Sequence, residues 1–268
     1  WVGGHLIPKF NYKSQYLIRR IQMGKDFAKK IAAGAVWLLI WLLCWLTVGK
    51  DVLIPSPAAV LLRLGQLICT LPFWQQVGLS LLRILTGFAL ALVLGTVFGA
   101  LTARSVLADT LLSPALRTVR AIPVASFIIL LFVLMSKEYI PTVTSFLMVL
   151  PVVWSNVDQG VRSTDIQLLE MAQVFRLSRR KVLRHIWLPQ VAPFFLAAAR
   201  TGMGLAWKAG VAAEVLAAPR LGIGRALYEA KVYLETADLF AWTAVIVCIS
   251  VVLEKGLVRL IGRCCHEA

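Results

Sequence analysis

Histidine, acidic side chains and short catalytic motifs are scarce in this chain of 268 residues. It carries three histidines, and 13 Asp and Glu against 28 Lys and Arg. It has no HExxH, no CxxC pair, no GxxxxGK followed by Ser or Thr, and no strand-like run followed by GxGxxG. His5, His185 and His266 lie outside the long apolar runs, so a Ser-His-Asp site cannot be assembled at membrane depth. We therefore predict no catalytic residue, no cofactor and no metal ligand.

Apolar residues dominate the composition, and the charge is strongly positive. Hydrophobic residues make up 59% of the chain and the mean hydropathy is +0.80, whereas soluble domains are roughly 45–50% apolar. The net charge of +15 is concentrated at alternate borders of the apolar runs, which is a signal of membrane topology. Nucleic-acid binding needs a solvated basic face instead. The composition predicts an integral membrane protein in a lipid bilayer, without nucleic acid as a partner.

Six apolar runs are long enough, or nearly so, to cross a bilayer, which takes about 20 residues. The predicted spans are 31–48, 77–103, a third interrupted at Pro114 and Pro123 before 124–135, then 140–157, 189–218 and 239–261. Pro57, after Ser56, marks the start of a further amphipathic helix, which is too short to cross and which we place along the outer surface. Since basic borders face inward, both termini are predicted to be cytoplasmic.

The N-terminal end differs in composition from the rest. Residues 1–30 are predicted to form a basic cytoplasmic segment, and residues 31–268 an all-α transmembrane domain. The first apolar run has no small-residue cleavage site before Asp51, so we expect it to remain as an anchor.

A patterned segment with many cations, residues 158–189, joins the fourth and fifth spans and is called the basic loop. Leu168, Met171, Ala172 and Phe175 recur at i, i+3, i+4 and i+7, on one helical face. The stretch Glu170–Pro189 is helix-prone over about six turns. Because a simple connector needs no apolar face, we predict that this loop docks onto another protein. A solvated basic connector is the alternative.

Two ionisable residues, Lys208 and Glu214, lie within or near the fifth apolar run. Charged groups at membrane depth are costly and indicate function. Lys208 either lines a pathway or pairs with a neighbouring helix, and Glu214 either lines a pathway or lies solvated at the outer border. With Gly204 and Trp207 from the same Gly- and Ala-rich run, they are our candidate pathway residues. For Arg83 we favour a side chain that extends to the membrane interface.

The basic loop resembles the EAA loop of ABC importer permeases. That pattern runs Glu-Ala-Ala, three residues, Gly, and about nine residues to Ile-x-Leu-Pro, and the matching residues are Glu170, Ala172, Ile186, Leu188 and Pro189. Met171 replaces the middle Ala. Arg176 stands where the family has a Gly that permits a sharp turn between two short coupling helices. With Arg176 and Leu177 there, we expect a less sharp turn or a merger of the two helices.

Other fragments resemble the nitrate/sulfonate/taurine branch of this family. They are Pro55-Ser56-Pro57, Ser80 to Arg83 with Gly87-Phe88, Arg120 to Pro123, and the LGIG loop 221–224 after Ala213-Glu214. The resemblance implies an all-α type I ABC importer permease (MetI-like) fold with a cytoplasmic coupling helix, located in the bacterial inner membrane.

The resemblance also implies a mechanism and partners. Two permease copies form the pathway, two cytoplasmic ATP-binding subunits receive the basic loops, and an extracytoplasmic solute-binding protein delivers a small anion such as a sulfonate, taurine or nitrate. ATP hydrolysis then resides on the partner, and this chain is not an enzyme. The residues assigned to ATPase coupling are Glu170, Met171, Ala172, Val174, Phe175, Arg176, Leu177 and Pro189. A homodimer and a pair of different permeases both remain open.

Two other functions remain open as well. One is a membrane scaffold or assembly subunit without transport of its own. The other is a membrane enzyme whose basic loop holds a phosphorylated or lipid substrate, which would need carboxylates or histidines facing that loop. The Gly- and Ala-rich fifth span and Lys208 favour a lined pathway, and hence the permease.

Overall fold

The computed structural model describes residue 29 and residues 32–266, with side chains described as far as residue 259. Within those residues every regular element is a helix. The helices are α1 Ala32–Val48, α2 Pro57–Ile68, α3 Leu71–Arg104, α4 Val106–Ala121, α5 Val124–Leu134, α6 Ile140–Arg162, α7 Ile166–Val174, α8 Arg179–Val182, a π-helical turn Leu183–Trp187, α9 Leu188–Ala217, α10 Ile223–Val232 and α11 Thr236–His266. The predicted basic segment 1–30 lies outside the described residues, apart from Lys29.

Four helices are long and apolar enough to cross a membrane, and a fifth span is possible. The four are α3, α6, the continuous stretch Arg179–Ala217, and Thr236–Arg259 of α11. The predicted third span is a pair of helices, α4 and α5, bent by 106°. The predicted first span is α1, which is apolar but shorter than a full crossing. The all-α membrane fold is thus confirmed, with four or five full-length spans among the described residues rather than six.

The chain divides into two compact units between Val60 and Leu61. In the first unit, two tryptophans fasten the turn that follows α1. Trp41 Nε1 donates to the Pro55 carbonyl at 3.2 Å, and Trp45 Nε1 donates to Asp51 Oδ1 at 2.6 Å. The Ser56 hydroxyl accepts from the Ala59 N–H at 3.1 Å, so it caps α2 and leaves Pro57 as the first helical residue, as predicted.

In the second unit, α3, α6 and α9 form the core. Gly95 and Gly99 of α3, which form a GxxxG pair, lie against α6. A Cβ added at Gly95 would meet Val153 Cβ at 2.8 Å, and one at Gly99 would meet the Trp154 carbonyl oxygen at 2.6 Å. Because neither glycine has a side chain, the two backbones approach closely and gain dispersion contacts along both helices.

The break between α4 and α5 falls at Ile122 and Pro123. Proline disfavours helical backbone at the residue before it, so Pro123 ends α4. Pro114 lies inside α4 without ending it. Arg120 Nη2 donates to the Pro151 carbonyl of α6 at 2.9 Å, which fixes the bend against the core.

Candidate functional site

The basic loop contains a sharp turn built on an unusual residue. Helix α7 ends at Val174, and Arg176 then adopts the left-handed conformation with φ of 51°. The Leu177 N–H donates to the Ala172 carbonyl at 2.9 Å, and the Arg176 N–H to the Gln173 carbonyl at 3.0 Å. These two bonds define a Schellman motif, which usually has Gly in the Arg176 position. The expectation of a less sharp turn or merged helices is therefore wrong, and the predicted six-turn helix is interrupted at residues 175–178.

Apolar side chains are exposed at this turn. Val174 is 80% exposed, Phe175 71% and Met171 43%. These three, at i, i+3 and i+4, form the apolar tip of the basic loop. Ala172 is buried, so the predicted docking face is divided between the interior and the surface. Glu170 and the loop cations around it are exposed.

Beyond the end of α6, two contacts attach the basic loop to the membrane helices. The Asp165 N–H donates to Gln190 Oε1 of α9 at 3.0 Å, while the Asp165 carboxylate caps α7 by accepting from the Gln167 N–H at 2.8 Å. Further along, the Arg104 guanidinium at the end of α3 lies 4.6 Å from the centre of the Trp187 ring. This cation–π contact connects α3 to the π-helical turn where the loop enters α9.

An ion-pair network lies at the same end of the bundle as the basic loop. Arg162 Nε donates to Asp158 at 2.9 Å, and its Nη2 donates to Asp109 and to the Thr102 carbonyl, both at 3.1 Å. Trp154 Nε1 donates to the Thr102 hydroxyl at 3.0 Å. The ends of α3, α4 and α6 are therefore joined next to the loop.

The opposite end of α9 carries a buried carboxylate, that of Glu214. Its side chain is fully buried, and its Oε2 accepts from the Ser80 hydroxyl at 2.6 Å and from the Gly224 N–H at 3.1 Å. Ser80 Oγ also accepts from the Ile223 N–H at 2.8 Å. A buried charge needs such partners. Of the two interpretations of Glu214, the solvated one is wrong.

The glycines of the LGIG loop let the chain close over this carboxylate. Gly222 has φ of 156°, and a Cβ there would lie 2.9 Å from both carboxylate oxygens of Glu214. A Cβ at Gly224 would press on the Glu214 side chain itself. Both positions therefore exclude a side chain.

Arg83 completes this cluster from α3. Its Nη1 donates to the Leu221 carbonyl at 2.5 Å and lies 3.5 Å from Glu214 Oε1, while its Nη2 pairs with Glu138. Glu138 Oε1 also accepts from the Arg220 N–H at 2.8 Å. We call Ser80, Arg83, Glu138, Glu214 and the backbone of 220–224 the polar clamp. Arg83 thus pairs with two carboxylates, where we expected it to extend to the interface.

The polar clamp was not predicted from the sequence as a unit. Ser80 and Arg83, Glu214, and the LGIG loop were noticed only as separate fragments of the resemblance. The available signal was Glu214 within an apolar run, because a carboxylate there requires donors from other segments.

The candidate pathway residues fall into two groups. Trp207 and Glu214 form the buried group. Trp207 is 1% exposed, and its Nε1 donates to the Ile246 carbonyl at 3.1 Å. Lys208 is exposed and Gly204 is half-buried, on a different face of α9. Only Lys208 and Gly204 are accessible in this conformation. Across the described residues, the structure has no group of three or more His, Cys, Asp or Glu side chains able to hold a metal ion.

Comparison with known proteins gives a consistent set of relatives. The chain is 27% identical over 176 residues to a putative aliphatic sulfonates transport permease protein of Bacillus subtilis, covering 64% of this chain and 61% of the relative. It is 26% identical over 136 residues to a bicarbonate transport system permease protein of Synechococcus elongatus, covering 50% and 48%. It is 28% identical over 184 residues to a nitrate import permease protein of Synechocystis, covering 65% and 66%.

The matches span between about half and two thirds of these relatives' own length. Residues 91–255, which include α6, the basic loop, α9 and most of the polar clamp, match the family described as the binding-protein-dependent transport system inner membrane component. That stretch is more than half of the chain. With its several apolar membrane helices, the chain therefore belongs to the family of inner membrane components of binding-protein-dependent transport systems, of the branch that includes sulfonate, bicarbonate and nitrate permeases.

Proposed function

We propose that this chain is the transmembrane permease subunit of an ABC importer, which couples a separate cytoplasmic ATPase to the passage of a small anion. The observation that carries this proposal is the apolar tip of the basic loop. Met171, Val174 and Phe175 are exposed together beside a rigid turn, as a docking element requires.

Docking of this tip gives a useful amount of binding energy. Burying three such side chains in a groove of the ATPase contributes roughly 4–6 kcal/mol at best. The loop cations then set the orientation of the two proteins through the complementary charge they meet. Glu170, Arg176, Leu177 and Pro189 shape the segment that carries the tip, and Ala172 packs beneath it.

Movement of the docked loop reaches the membrane helices through the contacts already described. Gln190 binds the start of α7, and Trp187 contacts Arg104 of α3. A displacement of the loop by the ATPase therefore acts on α3 and α9 together. Such a shared element, whose equilibrium both sites bias, is what coupling between two sites requires.

Anions are the substrate class supported by the relatives, since the names of three of them mention sulfonates, bicarbonate and nitrate. Exposed cations on α9 agree with that class. A second permease copy completes the pathway, a solute-binding protein delivers the anion on the outer side, and both termini lie in the cytoplasm. In this arrangement residues 1–30 form a cytoplasmic extension of the transmembrane domain.

The test is the ATPase activity of the reconstituted complex, with and without binding protein. We expect Glu170→Ala and Phe175→Ala to abolish most of the stimulation by binding protein while the subunits still co-purify. Leu107→Ala is the matched control, because Leu107 of α4 is also 71% exposed but lies outside the basic loop.

Unchanged stimulation in both loop variants would contradict the coupling role of the basic loop. A complex in which the unmodified chain gives no stimulation by any anion-loaded binding protein would favour a scaffold subunit instead.

A further inference from the structure

The exposed surface of α9 differs in character from that of the other long helices. On α3 and α11 nearly all of the exposed large apolar residues are Leu and Val, such as Leu90, Val97 and Val252, as expected for contact with lipid. On α9 the exposed positions from Ala197 to Ala212 carry small or charged side chains, which are Ala197, Arg200, Thr201, Lys208 and Ala212. This surface is unsuited to lipid.

A carboxylate from α11 lies on that surface. Glu254 Oε1 would be 3.1 Å from a Cβ added at Gly204. Gly204 is four residues from Arg200 and four from Lys208, so all three lie on one face of the helix. The absence of a side chain at Gly204 leaves room for the Glu254 carboxylate between the two cations.

These charges lie on the exposed surfaces of membrane-crossing helices, and the side chains that the structure describes do not neutralise them. Gly204 is near the middle of α9, and Glu254, which approaches it, lies within the candidate span Thr236–Arg259 of α11, five residues before its end. Among the side chains that the structure describes, none pairs with Arg200, Lys208 or Glu254 within 4 Å. Unpaired charges at such a depth do not face lipid, because the cost is too high, and they mark aqueous routes for ions.

We propose that Arg200 and Lys208, with Glu254 between them, form a two-step anion-binding stripe on the wall of the pathway. This inference rests on the proposed function, and it adds the residues that bind the substrate inside the membrane. The ligands it fits are small oxyanions, carboxylates or sulfonates.

The spacing suits passage rather than tight capture. Arg200 and Lys208 are eight residues apart, about 12 Å along the helix, so a small anion contacts one cation at a time. Arg200 offers a planar fork of donors suited to oxyanions, and Lys208 a compact charge. The Glu254 carboxylate repels an anion that lies between them, which prevents tight binding at either position. Conduction needs several weak sites of this kind.

The experiment measures the stripe without knowledge of the substrate or of any partner. The full chain, with all five cysteines replaced by Ser, receives Thr201→Cys beside Arg200 and is studied in membrane vesicles. The rates of modification by an anionic sulfonatoethyl and a cationic trimethylammonioethyl methanethiosulfonate are compared. Val97→Cys on the Leu- and Val-rich surface of α3 serves as the lipid-facing control.

We expect Thr201→Cys to react with both reagents and about tenfold faster with the anionic one, because a cationic cleft concentrates anions. Adding Lys208→Gln should lower that ratio several-fold, and Glu254→Gln should raise it. Lys231→Gln on α10 removes an equal charge outside the spans and should leave it unchanged. Val97→Cys should react with neither reagent.

Two results would overturn the stripe: no reaction at Thr201→Cys, or a ratio that Lys208→Gln leaves unaltered. The labelling does not depend on ATP. If labelling behaves as expected while ATPase stimulation is absent, the proposed importer function is contradicted and the proposed anion-binding stripe is supported. If ATPase stimulation is present but labelling does not behave as expected, the anion-binding stripe is contradicted and the proposed importer function is not.

Discussion

Replacement of glycine by alanine should have opposite effects on the stability of the protein at two positions of α3. Gly99→Ala places a Cβ 2.6 Å from the Trp154 carbonyl oxygen, 2.9 Å from Val157 Cβ and 3.0 Å from the Asp158 N–H nitrogen. Gly78→Ala places a Cβ with nothing within 4 Å. Both variants gain the same helix propensity, about 0.8–1 kcal/mol, so their difference isolates packing against α6.

The size of the packing penalty follows from the distances. Ordinary van der Waals contact begins near 3.4 Å, so α6 must move away from Gly99 by about 0.8 Å at the Trp154 carbonyl. A gap of that size forfeits a quarter to a half of the dispersion energy of the contacts it opens, and overpacking typically costs about 1–3 kcal/mol. The obstacle is backbone, so rotation of a side chain does not relieve it. We expect Gly99→Ala to be destabilised relative to Gly78→Ala by about 2 kcal/mol.

The assay is thermal unfolding of the purified chain in detergent, followed by the loss of the monodisperse peak on size exclusion. A difference of about 2 kcal/mol corresponds to roughly 4–8 °C in Tm for a chain of this size. Gly78→Ala should unfold at or above the Tm of the unmodified chain, and Gly99→Ala clearly below it. Equal Tm values for the two variants would refute the close approach of α3 and α6 as the source of stability.

Three further predictions concern the turn and the polar clamp. Arg176→Gly should raise Tm, because it removes a left-handed backbone strain of about 1 kcal/mol while keeping both Schellman bonds. Leu234→Gly should raise Tm for the same reason, because Leu234 has φ of 59° in the equivalent turn after α10. A lower Tm in both variants would contradict the strain. Gly222→Ala should lower Tm by more than Gly49→Ala, since both have positive φ but only the Cβ at 222 meets a carboxylate. Glu138→Gln should speed hydrogen exchange at the Arg220 N–H, which donates to that carboxylate. Exchange at the Leu168 N–H in α7 serves as the internal control. An unchanged exchange rate at Arg220 would show that Glu138 is not part of the polar clamp.

Local pattern was sufficient to predict the elements whose form depends on nearby residues. Apolar run lengths located α3, α6, α9 and α11, and the Ser56-Pro57 pair located the start of α2. These succeed because hydrophobic length and helix capping are properties of contiguous residues. The same reasoning identified the basic loop and its apolar residues, although not the division between buried Ala172 and exposed Val174.

The remaining features depend on contacts between distant segments. Ser80 and Glu214, which are 134 residues apart, become neighbours only when α3 and α9 pack. The start of α10 at Ile223 was also missed, because it is fixed by the Ile223 and Gly224 N–H bonds to Ser80 and Glu214. The turn at Arg176 was wrongly predicted because a residue's propensity does not report the two backbone bonds that hold it. Tertiary contacts override propensity in each of these cases.

The length of α9 gives it the properties of a lever. Its 30 residues make a rod of about 45 Å, with the basic loop attached at its first turn and Glu214 in its last. A tilt of about 5° about the Leu188 end moves the Ala217 end by roughly 4 Å, which exceeds the diameter of a water molecule. Because the polar clamp joins that far end to α3 and to the 220–224 loop, the displacement carries several segments with it. A small rotation at the end attached to the basic loop is thereby magnified into a movement of several ångströms at the opposite end of the helix.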